Sequence, residues 1–134
     1  MTEAILSNIK TALEEVCPFE VRLAHSNMPC KKGETFIIIA GEEISCEKIQ
    51  NESDRTRYFA DASVRITAAV PFKEETAELH RIAAAYILPV MTNFGACITG
   101  FSQGSEQDSI AGGVRKISIK FRVKGVYTVK REVL

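Results

Sequence analysis

Between residues 57 and 94 the chain changes its hydrophobic period, and that change constrains the fold more than any other feature. From Ala62 the apolar residues take every second position, Ala62, Val64, Ile66, Ala68 and Val70, with Ser63, Arg65, Thr67 and Ala69 between them. Period two over this length specifies a strand with one buried face. Pro71 closes it, because proline has no N–H for the ladder. Lys73, Glu74, Glu75 and Thr76 follow, with acids where the positive end of a helix dipole favours them. Leu79, Ile82, Ala83, Tyr86, Ile87, Val90 and Phe94 then recur at the spacing of one helix face. Pro89 interrupts this helix, either as a kink or as a break that puts Pro89 in the first turn of a short second segment. Gly95 fits the stop. A long strand feeding a long amphipathic helix provides a core and dictates no chemistry.

The flanking segments supply the remaining elements. Thr2 is placed to cap a first helix whose apolar face is Ile5, Ile9, Ala12, Leu13 and Val16, opposite Ser7, Lys10 and Glu14. Pro18 stops it. Phe19, Val21 and Leu23 alternate with Glu20 and Arg22 as a short strand, and residues 25–33 are a loop by composition. Phe36, Ile37, Ile38 and Ile39 are consecutive large apolar residues. Such a run implies a strand covered on both faces, by its own domain or by a neighbouring subunit. Gly41 is expected to break it. Residues 43–50 fit a further strand or a helical turn, with strand favoured. The polar residues 51–57 then join it to the long strand as a hairpin. After Gly95 a strand over residues 97–102 is expected, then a polar loop over 103–113. The last strand has Ile117, Ile119, Phe121 and Val123 on one face and Lys116, Ser118, Lys120, Arg122 and Lys124 on the other. Gly125 marks a bulge or an end, with Val126, Tyr127 and Val129 as a possible continuation. Residues 130–134 are expected to be mobile in an isolated subunit. The fold class is α+β: one domain over residues 1–134, a single mixed or antiparallel sheet, an N-terminal helix and one long helix packed on it. The order is α-β-β-(β)-β-α-β-β.

With 134 residues, 46% hydrophobic and 25% charged, one core can form without metals or disulfides. Formal net charge is zero, which gives no overall pull toward nucleic acid or anionic membrane and does little to oppose self-association. The first residues lack the basic start and apolar run of a secretion signal. No apolar stretch approaches the roughly 20 residues of a membrane span. Cys17, Cys30, Cys46 and Cys97 form no CxxC pair and match no zinc spacing. They are expected to be reduced thiols packed as small hydrophobes.

No motif for catalysis accompanies either histidine, His25 or His80, and their expected roles are packing or surface. The glycines of residues 104–113 lie between two predicted strands, beside Glu106 and Asp108, which would repel phosphate. No catalytic residue, cofactor or metal is assigned. The most pointed feature is charge. Residues 114–131 hold seven Lys or Arg and no acid. Lys116, Lys120, Arg122 and Lys124 share one face of the last strand. That face is a solvated sheet surface, or it meets an acidic surface of another subunit or protein. A third reading, nucleic acid, is weakened by the absence of interleaved aromatic residues. Ala84, Ala85 and Leu88 on the outer side of the long helix leave room for another element to approach.

The layout resembles the tail-terminator or tail-completion proteins of long-tailed phages and phage-derived contractile particles. The likeness is in the order and size of the elements: the opening helix, the apolar strand at 36–40, the long strand at 58–70, the helix at 74–94, and two closing strands around a polar loop. It rests on no invariant motif. It implies a structural, non-enzymatic virion protein, made in a host cytoplasm. A homohexameric ring would cap the tail tube and stop its polymerisation. The partners implied are the tube protein, with sheath and neck or connector proteins, and no membrane; nucleic acid enters only as DNA passing through a lumen. Interface candidates are Arg55 and Arg57 in the 51–57 connection, Gln103, Glu106 and Asp108 in the polar loop, Lys116, Lys120, Arg122 and Lys124 on the basic face, and Arg131 in the tail. A polar loop that orders only on docking suits a protein that must engage an assembled tube more than free monomers.

Overall fold

The long alternating strand is the centre of the sheet. The structure, a computed structural model, describes residues 2–24, 34–51, 54–106 and 113–130. The elements are α1 (Thr2–Val16), β1 (Glu20–Leu23), β2 (Phe36–Asn51), β3 (Arg55–Pro71), α2 (Thr76–Ile82), a π-helical turn (Ala83–Ile87), α3 (Leu88–Asn93), β4 (Cys97–Glu106) and β5 (Val114–Lys130). The five-stranded sheet has the order β1-β2-β3-β5-β4. β1 is parallel to β2, and every other pair is antiparallel. The expected α+β class with a single mixed sheet is what forms.

Alternation decides which face is buried. Ala62, Val64, Ile66, Ala68 and Val70 of β3 lie between Ile37 and Ile39 of β2 and Ile117, Ile119, Phe121 and Val123 of β5, and all are buried. On this side the helices close the core with Ile5, Leu6, Ile9 and Leu13 from α1 and Leu79, Ile82, Ala83, Ile87, Val90 and Met91 from the second helical segment. Val16, expected on the apolar face of α1, is half exposed. Its place is taken by Leu6, because the helix turns Ile5, Leu6, Ile9 and Leu13 together toward the sheet.

The expected break at Pro89 does not form: the helical run is continuous from Thr76 to Asn93. Pro89 falls in the first turn of α3, where the second alternative put it, but a π-helical turn joins that segment to α2. Its ring would crowd the carbonyl four residues back, and it has no N–H to give. The turn before it widens: Leu88 N–H donates to Ala83 O, five residues back. The wider turn carries the buried row from Ile82 and Ala83 to Ile87, then to Val90 and Met91. Gly95, at φ +68°, ends α3. Its N–H donates to Thr92 O at 2.9 Å and the Ala96 N–H to Met91 O at 3.1 Å, the paired bonds of a Schellman close.

Three strand boundaries differ from expectation. Gly41 does not end the apolar strand: β2 continues through residues 43–50 to Asn51, with register shifts after Gly41 and after Lys48. The extra strand therefore merges into β2 as a bulged continuation. β4 takes in residues 103–106, which were expected to open the polar loop, because β5 offers them ladder partners from Ile117 to Val114. β5 runs straight through Gly125, paired with Ala60, to Lys130. The hairpin over residues 51–57 is present, with Asn51 opposite Thr56 and the Thr56 hydroxyl donating to Asn51 Oδ1 at 3.0 Å.

Candidate interaction surfaces

The sheet face away from the helices is where the basic strand displays its charges. Lys116, Ser118, Lys120 and Arg122 of β5 lie in register with Ala69, Thr67, Arg65 and Ser63 of β3. Acids from elsewhere in the chain meet them. Glu42, the residue added by the β2 bulge, pairs with Arg65 and places Oε2 3.5 Å from Lys120 Nζ. Asp61 Oδ1 is 3.2 Å from Arg122 Nε. One step further along the ladder, between Lys120 and Lys116, Thr67 Oγ1 and Ser118 Oγ are 2.8 Å apart. Glu43, Ser45, Asp61, Ser63 and Arg122 line an open polar depression of about 420 Å³. The row read as basic charge thus meets acids at Lys120 and Arg122. Each partly exposed pair is worth about 0–1 kcal/mol, and the pairing mainly fixes where charges point.

One end of this face is apolar. Phe36 and Ile38 are half-buried while Ile37 and Ile39 are fully buried, so the second face of the apolar run is only partly covered. Ala69, in register between Phe36 and Lys116, is fully buried. Arg22 of β1, opposite Ile38, is also buried and pairs with Glu20.

At its other end the sheet narrows to three strands. β1 stops opposite Ile39 and β4 begins opposite Arg122. Among the described residues only β2, β3 and β5 continue beyond them, to the pairs Asn51–Thr56 and Arg55–Lys130. Among the described side chains the main core cluster reaches Ala62 and Val123 along these strands, and Ala60 and Thr56 beyond it on β3 are buried as well. Arg55 and Arg57 lie on this extension, both half-exposed. Gln103 and Glu106 lie at the opposite end of the sheet, since β4 is carried by the part of β5 that pairs with residues 63–71. At ~3.3 Å per residue, roughly 50 Å of β3 separates the two ends. The expected interface residues therefore form no single patch. Lys116, Lys120, Arg122 and Lys124 share the open face, and Asp108 and Arg131 lie outside the described residues.

A third surface borders the helices. Ile98 and Phe101 of β4 are 55% and 57% exposed. His80 of α2 stacks on Phe101, ring centroids 6.3 Å apart and 19° from parallel. Ala84 and Ala85, on the outer side of the helix, are exposed, while Leu88 packs partly against the core. Cys97 is an exposed thiol rather than a buried one. Cys17 is half-buried, and burial pushes its thiol up to about 11. Arg81 binds Glu78 through Nε at 2.9 Å, which lowers that carboxyl's pKa. His25 and Cys30 fall outside the described residues. Among those described, no cluster of His, Cys, Asp or Glu could hold a metal, and no helix is long and apolar enough to cross a membrane. The chain matches no protein-family model and no curated protein.

Proposed function

We propose that this chain is a structural subunit of a phage tail or phage-tail-like contractile particle. Six copies form a ring on the last layer of the tail tube, end its polymerisation and link tube and sheath to the neck. No covalent chemistry is required of it. The observation that carries this reading is the three-stranded extension of β2, β3 and β5 past the described edge strands β1 and β4. An isolated domain gains little from such a projection, whereas a subunit that must reach a second ring gains a lever. The half-covered Phe36 and Ile38 and the exposed Ile98 and Phe101 supply apolar surface for neighbours. Nucleic-acid binding through residues 116–124 is disfavoured, because Glu42 and Asp61 pair with two of the four cations there, Lys120 and Arg122.

The test is mass in solution together with electron microscopy of the chain mixed with cognate tail tube. A ring seated at one tube end supports the reading. A strict monomer that never binds tube ends refutes it. Filter binding to DNA and RNA across a salt series checks the competing reading: the expected result is no salt-sensitive affinity.

A further inference from the structure

Among the described residues two long strand edges have no partner. The first is the outer edge of β4, ten residues long. It has no proline, and no charged residue before Glu106. Edge strands are ordinarily kept short, charged or broken by proline, because their outward N–H and C=O groups recruit another strand. β4 has only the register shift between Ile98 and Gly100. On its helix side it exposes Ile98 and Phe101. On the open face it presents Gly100, Ser102 and Gly104, in register with Lys120, Ser118 and Lys116. The Lys120 stem passes 3.5 Å from where a Cβ on Gly100 would sit, and a Cβ on Gly104 would meet nothing. Long basic side chains on β5 thus overlook a row of β4 that carries little more than hydrogen and the Ser102 hydroxymethyl group on that face.

The second edge belongs to β2. β1 covers β2 only as far as Ile39, leaving residues 40–51 open. Glu43 and Ser45, in register with Ser63 and Asp61, are exposed on the open face. In the alternate positions Ile44 and Cys46 stand in register with Ala62 and Ala60 of the helix-side row. This edge has an acid toward the open face and apolar residue types at the alternate positions, as a strand laid against β4 would need.

We infer that β4 of one copy takes up the 40–51 edge of β2 from a second copy, extending the sheet from subunit to subunit. Strand direction agrees: β4 is antiparallel to β5, β5 to β3 and β3 to β2, so two sheets set side by side in the same sense bring β4 and β2 together antiparallel, with both helical layers on one side. Charge agrees as well. The incoming strand lies two strand spacings from β5, about 10 Å, as far from Lys120 on the β4 side as β2, which carries its partner Glu42, lies on the other, so an acid across the Gly100–Ser102–Gly104 row can share this exposed cation. A β4–β4 contact would instead bring two basic β5 rows toward each other, with Glu106 at the strand end the only acid in the two β4 strands between them. The geometry also sets a stagger. β4 lies level with β3 residues 63–71 and the open β2 edge with residues 56–65, so successive copies are displaced along the strands, as a closed, tilted sheet requires. This contact is head-to-tail, able to close a ring, and it rests on the ring reading above.

Single cysteines at Ser102 or Gly104 on one population and at Glu43 or Ser45 on another, with the native cysteines replaced, are mixed and treated with a short bismaleimide. Cross-links between the β4 and β2 populations, with none between β4 cysteines, are expected; β4–β4 cross-links overturn the inference. The double variant Ile98→Lys/Phe101→Lys, whose side chains are already exposed, is expected to keep the parent's circular dichroism and to lose the oligomer. If it assembles as the parent does, the inference fails. Hydrogen exchange on the full chain separates the two levels. Slowed exchange of β4 amides on assembly supports the edge contact. A ring whose β4 amides exchange as in the monomer overturns it and leaves the ring standing. A monomer at every concentration and at tube ends overturns both.

Discussion

Ile66 sits at the centre of the sheet, fully buried, with Ile39 and Ile119 beside it in register, themselves buried. Ile66→Ala removes three carbons. At about 0.8 kcal/mol each the lost transfer energy is about 2.4 kcal/mol. The cavity term adds to this, because β3 is held on both sides by long ladders that oppose collapse. The expected loss is about 4 kcal/mol, within the roughly 2–5 kcal/mol of such truncations. For a domain whose total stability is of order 5–15 kcal/mol this is a large share. With a urea slope of about 2 kcal/mol per molar, the midpoint falls by about 2 M. The control is Ile98→Ala, at a half-exposed edge position, expected to cost under about 0.5 kcal/mol in the monomer. Urea unfolding followed by circular dichroism reads both. A loss below about 1 kcal/mol for Ile66→Ala, or equal losses for the two variants, would refute the assignment of the alternating row to the core.

Gly95→Ala leaves the helix stop without its left-handed residue; the new Cβ meets nothing, so the cost is conformational, about 1 kcal/mol, read as a thermal shift of several degrees. Glu42→Gln removes the shared partner of Arg65 and Lys120 and is expected to change stability by no more than about 1 kcal/mol, with the difference shrinking in high salt. Maleimide at neutral pH should label exposed Cys97 well before Cys17, whose thiol is pushed up to about 11 by burial; equal rates would contradict that environment. Because burial raises this pKa in the folded state, the neutral thiol is the stabilised form. The contribution is therefore present below the unfolded value and lost as the pH climbs from about 9 toward 11, which pH-dependent unfolding of Cys17→Ala beside the parent would show.

The sequence was legible where one physical term dominated. Period two from Ala62 to Val70, the switch to helical spacing after Pro71, and Gly95 as the stop each reflect a local demand, and each appears in the fold. It was not legible where distant strands decide. Gly41 ends an apolar run in the chain, yet β3 continues alongside and β2 bulges rather than stops. Residues 103–106 have loop composition but acquire ladder partners from β5. Met91 falls off the expected face, and only the wider turn before Pro89 brings it inward. The same holds for the surfaces. The cations of residues 116–124 were visible as a row, but the acids that meet them, Glu42 and Asp61, lie tens of residues away in sequence. Only the β2–β3–β5 register brings the two sets together.

The most direct measurement is polymerisation of the tail tube in the presence of this chain, followed by the length distribution of tubes in negative-stain images. Proposed as a terminator, the chain should halt elongation at substoichiometric amounts relative to tube protein, leaving short tubes with a ring on one end. Tubes that grow to the same lengths with and without the chain, at every ratio, would contradict that role.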